Sequence, residues 1–458
     1  MRVNEYALNR GGDMSASATR IDVTSFIDAQ KIGSYQIRLL LICAAVMFCD
    51  GFDAQAIGYV APSIAKEWAV PRGGLGPVLS ASLMGLMIGA LSLGPIADRI
   101  GRRWIILAST LAFGVFTLGT MFTSNVNELM VLRFLTGLGL GGAMPNAVSL
   151  TAEFSPLRRR STMVMCMFTG FSIGAAVGGG IAAWLIPSYG WRAVFLVGGA
   201  APLLLLPFLF LKLPESVRFL ALRGTANAAV STVLARMYPQ LSFAADTHYT
   251  TSEPHLPGIP VLQLLRDGRA VATLLIWVLF FCSLLDLFFL SNWLPTVLND
   301  LGASVSVSAL LGALLQVGGV VGTFALGSAM DRVATKALGF IYLVAVIAIA
   351  SIGSVGHTIP ALAIAIFFAG FCIVGGQNCS NATAATFYPT ALRATGVGWA
   401  FGVGRIGSII GPIIGGVLLA MHWAPQELFL VAAIPAGVAA LAGFALRFAG
   451  VRGPAAHR

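Results

Sequence analysis

The hexapeptide Phe48-Cys49-Asp50-Gly51-Phe52-Asp53 places two carboxylates in the middle of the first long apolar run of this chain. A spacing of three residues puts Asp50 and Asp53 on one face of a helix. An acid at membrane depth is energetically costly, so it is typical of a substrate or proton site that faces a cavity. The pair therefore predicts a cavity within a bundle of membrane-spanning segments.

The composition of the whole chain is typical of a membrane protein. Of its 458 residues, 57% are hydrophobic and 10% are charged, whereas soluble domains carry about 25% charged residues. The apolar residues form runs of roughly 20, which suits a bilayer-spanning helix, and they lack the alternating polarity of a membrane β-barrel. We expect an all-α polytopic membrane protein with twelve transmembrane helices. The predicted spans are residues 36–58, 77–97, 104–124, 127–152, 162–187, 192–212, 270–292, 303–327, 337–356, 361–386, 394–420 and 427–449.

The predicted spans form two groups of six. Residues 213–269 are polar and rich in Arg, and they separate the sixth span from the seventh. A connection of this length predicts a cytoplasmic linker with short interfacial helices. We expect an N-terminal six-helix bundle at 36–212 and a C-terminal six-helix bundle at 270–449, with tails at 1–35 and 450–458.

The positive charge of the chain predicts its orientation. The net charge is +10, and with this topology 23 of the 28 Lys and Arg lie on the side that holds both termini, 3 on the other side and 2 within spans. Lys and Arg are enriched on the cytoplasmic side of membrane proteins, so both termini are predicted to be cytoplasmic. Because orientation explains the basic excess, we expect no nucleic-acid partner.

The two halves of the chain repeat each other at an offset of 233 residues. Parallel repeats of six spans are the architecture of two-bundle transporters, whose binding site lies at the membrane midplane between the bundles. Residues charged in one half alone are candidates for substrate or proton binding, and Asp50, Arg133 and Arg405 are among them. The aligned pairs include Asp53 with Asp286, Asp98 with Asp331, Arg99 with Arg332, Arg160 with Arg393 and Pro62 with Pro295.

The decapeptide Gly94-Pro95-Ile96-Ala97-Asp98-Arg99-Ile100-Gly101-Arg102-Arg103 joins the second and third spans. Its glycines allow a tight turn, and its charged side chains can bridge neighbouring helix ends and hold one conformation. This pattern is identified as the signature of the major facilitator superfamily, which implies transport by alternating access. The predicted conformational latch consists of Asp98, Arg99, Arg102, Arg103, Glu153, Asp331, Arg332 and Arg393.

A narrower resemblance starts from the acidic motif of the first span. Asp50-Gly51-Phe52-Asp53, followed by Gly58 and Ala61-Pro62, resembles the signature of the aromatic acid:H⁺ symporter family. Members of that family import benzoate-like, hydroxybenzoate-like and phenoxyacetate-like anions across the inner membrane of bacteria. Tyr388-Pro389-Thr390 and Gly404-Arg405 also look like that family. The resemblance implies that transport depends on Asp50, Asp53, Asp98, Arg133, Arg393 and Arg405.

The candidate site residues follow from charge and placement. Asp50 and Asp53 are predicted to carry the coupling proton. Arg405 is the best candidate for binding a substrate carboxylate, because a planar guanidinium can hold one bidentately; the alternative is an ion pair with Asp286 or Asp53. Arg133 belongs either to a static ion pair or to a network that changes partners on protonation. The predicted substrate-binding residues are Arg405, Arg133, Gln377, Asn381, Trp293 and Asp286.

These features together predict a proton-coupled symporter that imports an aromatic carboxylate by alternating access, acting as a monomer in the lipid bilayer. The alternative is a facilitator for a sugar or an organic cation, in which the acids bind the cation and Arg405 is structural. We find no metal-ligand spacing of His, Cys and Asp and no nucleophile constellation, so we expect neither a cofactor nor an enzyme.

Overall fold

The computed structural model describes residues 20–71, 73–222, 227–241, 247–251, 260–333, 335–354, 358–388 and 390–449. Within these ranges the side chains of 161, 260, 327–333, 335–336, 390–391 and 393–394 are not described. The predictions for the outer parts of both tails therefore lie outside the described residues. The same is true of the predicted latch side chains Asp331, Arg332 and Arg393.

The described residues form sixteen helices and two short strands. The first elements are strand β1 (Arg20–Asp22) and helix α1 (Val23–Ala29). Six long helices follow, namely α2 (Ser34–Glu67), α3 (Gly76–Ile100), α4 (Arg102–Thr120), α5 (Val126–Glu153), α6 (Leu157–Tyr189) and α7 (Arg192–Lys212). The segment between the bundles holds α8 (Val217–Leu222), α9 (Asn227–Met237), β2 (His248–Thr250) and α10 (Pro260–Leu264). The second six long helices are α11 (Ala270–Asp300), α12 (Val305–Val333), α13 (Thr335–Ser354), α14 (Ile359–Phe387), α15 (Thr390–Ala420) and α16 (Pro425–Ala445).

Each of the twelve predicted spans overlaps one of these twelve long helices, so the predicted fold class is confirmed. Ten of them are long and apolar enough to cross a bilayer by themselves, and α2 makes eleven when it is taken with α1, from which it is bent by 106°. The twelfth, α5, is a continuous helix whose apolar sequence contains the polar residues Arg133 and Asn146. Both side chains are buried, so α5 directs its polar groups into the bundle and not toward lipid.

Local sequence signals set the helix ends. Asn125 precedes α5, and its side chain accepts a hydrogen bond of 2.9 Å from the backbone N–H of Glu128, which satisfies a free donor at the helix start. Gly101 separates α3 from α4 with a φ of +109°, in the region that favours glycine. A Cβ at this position would also collide with the side chain of Glu215. Glycine therefore allows α4 to follow α3 without a loop.

The repeat predicted from the sequence recurs in the packing of the helices. Gly137 of α5 lies against the backbone carbonyl of Ser82 on α3, and its counterpart Gly370 lies against that of Leu315, the counterpart of Ser82. Glycine lets two helix backbones come into contact, so each bundle contains the same helix crossings. The other glycines whose contacts recur at the offset of 233 are Gly85 with Gly318, Gly89 with Gly322, Gly174 with Gly407 and Gly178 with Gly411.

We call the side on which α2 begins and α16 ends the terminal face, and the other side the opposite face. At the terminal face, β1 pairs in parallel with β2, with Ile21 beside Tyr249. Gln36 of α2 donates a hydrogen bond of 2.9 Å to the hydroxyl of Tyr238. The segment between the bundles is therefore joined to the N-terminal segment. Short helices were predicted for it, whereas the strand pair was not.

The two bundles meet at the opposite face. A Cβ on Gly58 of α2 would lie 2.7 Å from the backbone oxygen of Ser291 on α11. Gly73 has a φ of +80°, and a Cβ there would collide with the carbonyl of Gly416 on α15. Because these positions carry no side chain, the backbones of the two halves close the gap between the bundles on this side.

The gap widens toward the terminal face, as one face of α15 shows. Near the opposite face, the carbonyl of Ile409 accepts a hydrogen bond of 3.0 Å from Ser80 of α3. Gly398 lies eleven residues earlier on nearly the same face of α15, and a Cβ on it would meet no atom within 4 Å. The structure is thus closed at the opposite face and open at the terminal face.

Replacing Gly58 by Val is expected to hold the opposite face open, because the added carbons would fall on the Ser291 backbone of the other bundle. When the opposite face is held open, the terminal face is expected to close around Gly398. A Gly398→Cys variant, with the exposed Cys166 replaced by Ser, is then expected to react several-fold more slowly with a soluble maleimide. The control is Gly180→Val, since a Cβ on Gly180 meets nothing within 4 Å. Equal labelling rates in both variants would show that Gly58 does not control closure.

Candidate functional site

Asp53 and Arg133 form a fully buried ion pair. Nη1 of Arg133 lies 3.1 Å from Oδ2 of Asp53, and neither side chain is exposed. The hydroxyl of Thr117 donates a hydrogen bond of 2.7 Å to Oδ1 of Asp53. Nη2 of Arg133 donates to the hydroxyls of Thr136 at 3.0 Å and Thr120 at 3.4 Å. These contacts compensate both charges, as a buried ion pair requires.

Asp50 lies one turn away from Asp53 and has a different environment. It is fully buried, yet neither of its carboxylate oxygens has a hydrogen-bond partner among the residues that the structure describes. Arg405 of the other bundle is the cation with which Asp50 interacts electrostatically. The two predicted site residues of opposite charge, on α2 and α15, therefore lie within electrostatic range of each other but are not hydrogen-bonded to each other.

Most N–H donors of the Arg405 guanidinium are not used in hydrogen bonds to described residues. Its Nη2 lies 3.3 Å from Sδ of Met144 on α5, and a thioether is a weak acceptor. A guanidinium carries five N–H donors, so most of this group remains available for a ligand. Of the two ion pairs considered for Arg405, Asp53 is bound to Arg133 instead. Asp286 has no hydrogen-bond partner in the described part of the chain.

Polar side chains of α14 form a hydrogen-bonded chain. Gln377 donates to Asn381 at 2.9 Å, and Asn381 donates to Asn378 at 3.4 Å. Asn378 in turn donates to the hydroxyl of Thr323 on α12 at 2.7 Å. The buried Oε1 of Gln377 accepts no hydrogen bond from any described residue, which leaves an acceptor within a polar strip.

Trp293 is placed in the closed part of the gap. Its Nε1 donates a hydrogen bond of 2.9 Å to the carbonyl of Pro412, and its ring lies against Gly415 and Gly76 at the opposite face. Its side chain therefore helps to seal the bundles together in this conformation. Its predicted contact with substrate stays a prediction.

The predicted latch residues of the first bundle meet at the terminal face. Arg102 forms an ion pair with Glu153 of α5, and Asp98 lies 3.8 Å from Arg102 with 72% of its side chain exposed. Oε1 of Glu215 accepts hydrogen bonds from the backbone N–H groups of Arg102 at 2.9 Å and Arg103 at 3.2 Å. Glu215 thus caps the start of α4.

Glu215 and Met144 contact predicted site residues but were not predicted from the sequence. Glu215 belongs to Pro214-Glu215-Ser216 after the sixth span, and an acid at the end of a span on the side of the basic turn was the available signal. Met144 gave no signal, since a methionine in an apolar span is an ordinary packing residue. Its place beside Arg405 depends on how α5 and α15 meet.

A duplicated pair of six-helix bundles, closed on one side and lined by ionisable residues at mid-depth, defines a two-bundle membrane transporter. The chain belongs to the major facilitator superfamily, because the family model of that name matches residues 43–276 and 276–458.

Its curated relatives carry the names of aromatic acid transporters, in agreement with the resemblance found in the sequence. A 4-hydroxybenzoate transporter, PcaK, of Pseudomonas aeruginosa is 41% identical over 92% of this chain and 95% of its own length. A gallate transporter of Pseudomonas putida is 42% identical over 92% of this chain and 94% of its own. A benzoate transport protein of Acinetobacter baylyi is 32% identical over 91% and 90%.

Solved structures show the same fold. A bacterial homologue of the human lysosomal transporter Spinster, in an inward-facing and occupied conformation, superposes with a TM-score of 0.69. The match covers 91% of this chain and 98% of that one at 16% identity. The unoccupied form of that homologue superposes with a TM-score of 0.66.

Proposed function

We propose that this protein is a proton-coupled symporter that imports an aromatic carboxylate by alternating access. The observation that carries the proposal is the electrostatic interaction of Asp50 with Arg405 of the other bundle. The carboxyl of Asp50 has no hydrogen-bond partner among the described residues, and the guanidinium of Arg405 donates to a thioether. Relatives named for 4-hydroxybenzoate, gallate and benzoate support the substrate class. All three of these compounds present a carboxylate on an aromatic ring.

Arg405 is assigned the substrate carboxylate in this proposal. A carboxylate is a far better acceptor for a guanidinium than the sulfur of Met144, and it can bind two N–H groups at once. Gln377 and Asn381 are assigned to the polar side of the site, where the free Oε1 of Gln377 would accept a hydrogen bond. The ring would pack in the apolar part of the gap.

Asp50 is assigned the coupling proton. An unpaired carboxylate at membrane depth is strongly disfavoured, so a proton on Asp50 removes a charge that would otherwise compete with the substrate for Arg405. Asp53 remains a candidate for the coupling proton, because protonation of Asp53 would free Arg133 to bind a different partner. Asp53 is held by Arg133 and Thr117, whereas Asp50 has no hydrogen-bond partner among the described residues. Asp50 is therefore the residue that can change its protonation without breaking a buried contact.

The proposed orientation of the protein in the membrane follows from the distribution of charge. With the predicted topology, 23 of the 28 Lys and Arg lie on the side of both termini, so we assign the terminal face to the cytoplasm of a bacterium and the opposite face to the outside of the inner membrane. The open gap then leads to the cytoplasm. The duplicated bundles enclose the gap within one chain, and we propose a monomer as the working unit.

Asp50→Asn is expected to abolish proton-driven accumulation while it preserves exchange of labelled for unlabelled substrate. The amide keeps the shape of the neutral acid but cannot release a proton, and exchange requires no net proton movement. The measurement is uptake of labelled benzoate-, hydroxybenzoate- and phenoxyacetate-type acids by proteoliposomes with an imposed pH gradient. The control is Asp267→Asn, whose exposed carboxylate lies outside the bundles. Unchanged accumulation in Asp50→Asn would remove the proton from this residue.

A further inference from the structure

The repeat sets Asp286 apart from its counterpart Asp53. Both carboxyl groups are fully buried at the middle of the first helix of a bundle, α11 for Asp286 and α2 for Asp53. Asp53 is bound by Arg133 and accepts a hydrogen bond from Thr117, and Thr120 and Thr136 accept hydrogen bonds from that arginine. The same positions of the second bundle hold apolar residues. The counterparts of Arg133, Thr117, Thr120 and Thr136 are Ile366, Ala350, Gly353 and Ala369.

The second bundle therefore retains the acid and has lost every group that would stabilise its charge. Neither oxygen of Asp286 has a hydrogen-bond donor among the described residues. Ile366, which stands in place of the arginine, is itself fully buried. Removing a charge from water without a partner is strongly unfavourable, so the neutral acid is the form that this environment holds.

Among the described residues, the ionisable groups that interact with Asp286 carry no positive charge. Those that interact with it electrostatically are Cys282 on its own helix and Tyr342 of α13. On the other packed helices, Arg405 interacts with Asp50. Asp53 of α2 is bound to Arg133. The hydroxyl of Tyr59 on α2 donates to the carbonyl of Ala175 at 2.9 Å.

A chain of hydroxyl groups lies beside Asp286. The hydroxyl of Tyr342 donates to Ser283 at 2.8 Å and lies 3.2 Å from the hydroxyl of Ser380 on α14. Ser283 precedes Asp286 by three residues, so both are on one face of α11. Hydroxyl groups both donate and accept hydrogen bonds, so this cluster is a polar neighbour of Asp286 that can exchange protons, although no described group is hydrogen-bonded to the carboxyl.

We propose that Asp286 is a second proton-carrying group, so that two protons, one on Asp50 and one on Asp286, enter with each aromatic carboxylate. This inference rests on the proposed function. Each carboxylate takes a proton from the outer side and releases it on the inner side, and no covalent bond of the substrate changes. One monoanion and two protons together move one net positive charge inward, so a negative interior drives uptake.

The test is the voltage dependence of accumulation in proteoliposomes that hold the full chain. With one net positive charge per cycle, an interior-negative potential of about 60 mV without a pH gradient is expected to give about tenfold accumulation of labelled acid in the wild type, since 59 mV is tenfold for one charge. Asp286→Asn is expected to abolish this accumulation and to retain uptake driven by a pH gradient, because one proton with one monoanion is electroneutral.

A second variant restores the arrangement of the first bundle. Ile366→Arg places an arginine where Arg133 faces Asp53, so the carboxylate of Asp286 is held ionised and voltage-driven accumulation is again lost. The control is Asp267→Asn, which keeps the tenfold accumulation. Undiminished voltage-driven accumulation in Asp286→Asn, or none in a wild type that responds to pH, would overturn the inference and leave the proposed function standing. A wild type that exchanges no aromatic acid would overturn the proposed function itself.

Discussion

Arg133→Ala is expected to destabilise the protein by about 3–5 kcal/mol, because it leaves the carboxylate of Asp53 buried without its partner. Both side chains are fully buried and lie 3.1 Å apart, so water cannot replace the lost contact. The measurement is thermal unfolding of the purified protein in detergent. Asp53→Asn combined with Arg133→Leu is expected to recover much of this loss, since neither replacement leaves a buried charge.

The control for this prediction is an ion pair of similar chemistry at the surface. Arg192 lies 2.7 Å from Glu67, and their side chains are 39% and 43% exposed. Arg192→Ala is therefore expected to change the stability by no more than about 1 kcal/mol. If Arg133→Ala melts like the wild type but binds no substrate, the pair is not structural and Arg133 is a substrate ligand.

Arg405→Gln is expected to raise the Kd for an aromatic acid about 10- to 150-fold. Hydrogen bonds to charged groups contribute about 1.5–3 kcal/mol, and each 1.4 kcal/mol corresponds to a tenfold change in Kd. Arg405→Lys keeps the charge but cannot form the planar bidentate contact, so a smaller loss is expected. Both values are measured by calorimetric titration of the purified protein with hydroxybenzoate and benzoate.

Stability distinguishes this result from misfolding. The guanidinium of Arg405 donates to Met144, a weak contact, and Asp50 can take up a proton when its cation is removed. Arg405→Gln is therefore expected to melt close to the wild type, unlike Arg133→Ala. Transport that is intact in Arg405→Gln would favour a sugar or organic-cation facilitator, in which the acids bind the ligand and this arginine is structural.

Arg133 and Arg405 look alike in the sequence. Each lies in an apolar span, and neither has a charged counterpart at the offset of 233. The structure separates them, because Arg133 is enclosed by Asp53 and threonine hydroxyls, whereas Arg405 faces a thioether. The partners belong to helices far apart in the chain, so residue type and spacing could not distinguish a structural arginine from an available one.

The sequence likewise could not show which groups surround the buried acids Asp50, Asp53 and Asp286. The sequence separated Asp50 from Asp53 by their counterparts, Ser283 and Asp286, and the structure agrees that their surroundings differ. It assigned Asp53 to the coupling proton and Asp286 to the substrate, although the two are aligned, and it could not show which groups surround each carboxyl. The difference appears when their neighbours on other helices are compared, and those neighbours are an arginine for Asp53 and Ile366 for Asp286.

By itself the sequence determined the twelve helices, their division into two bundles and the repeat that relates the bundles. Backbone hydrogen bonds in lipid have to be satisfied within each helix, so apolar runs and their spacing carry that information locally. Only the tertiary structure decided which buried charges are compensated, which side of the gap is closed and that Glu215 caps α4. These properties depend on side chains from different helices meeting within about 3–4 Å, the range of hydrogen bonds and ion pairs, and such distances are set by packing.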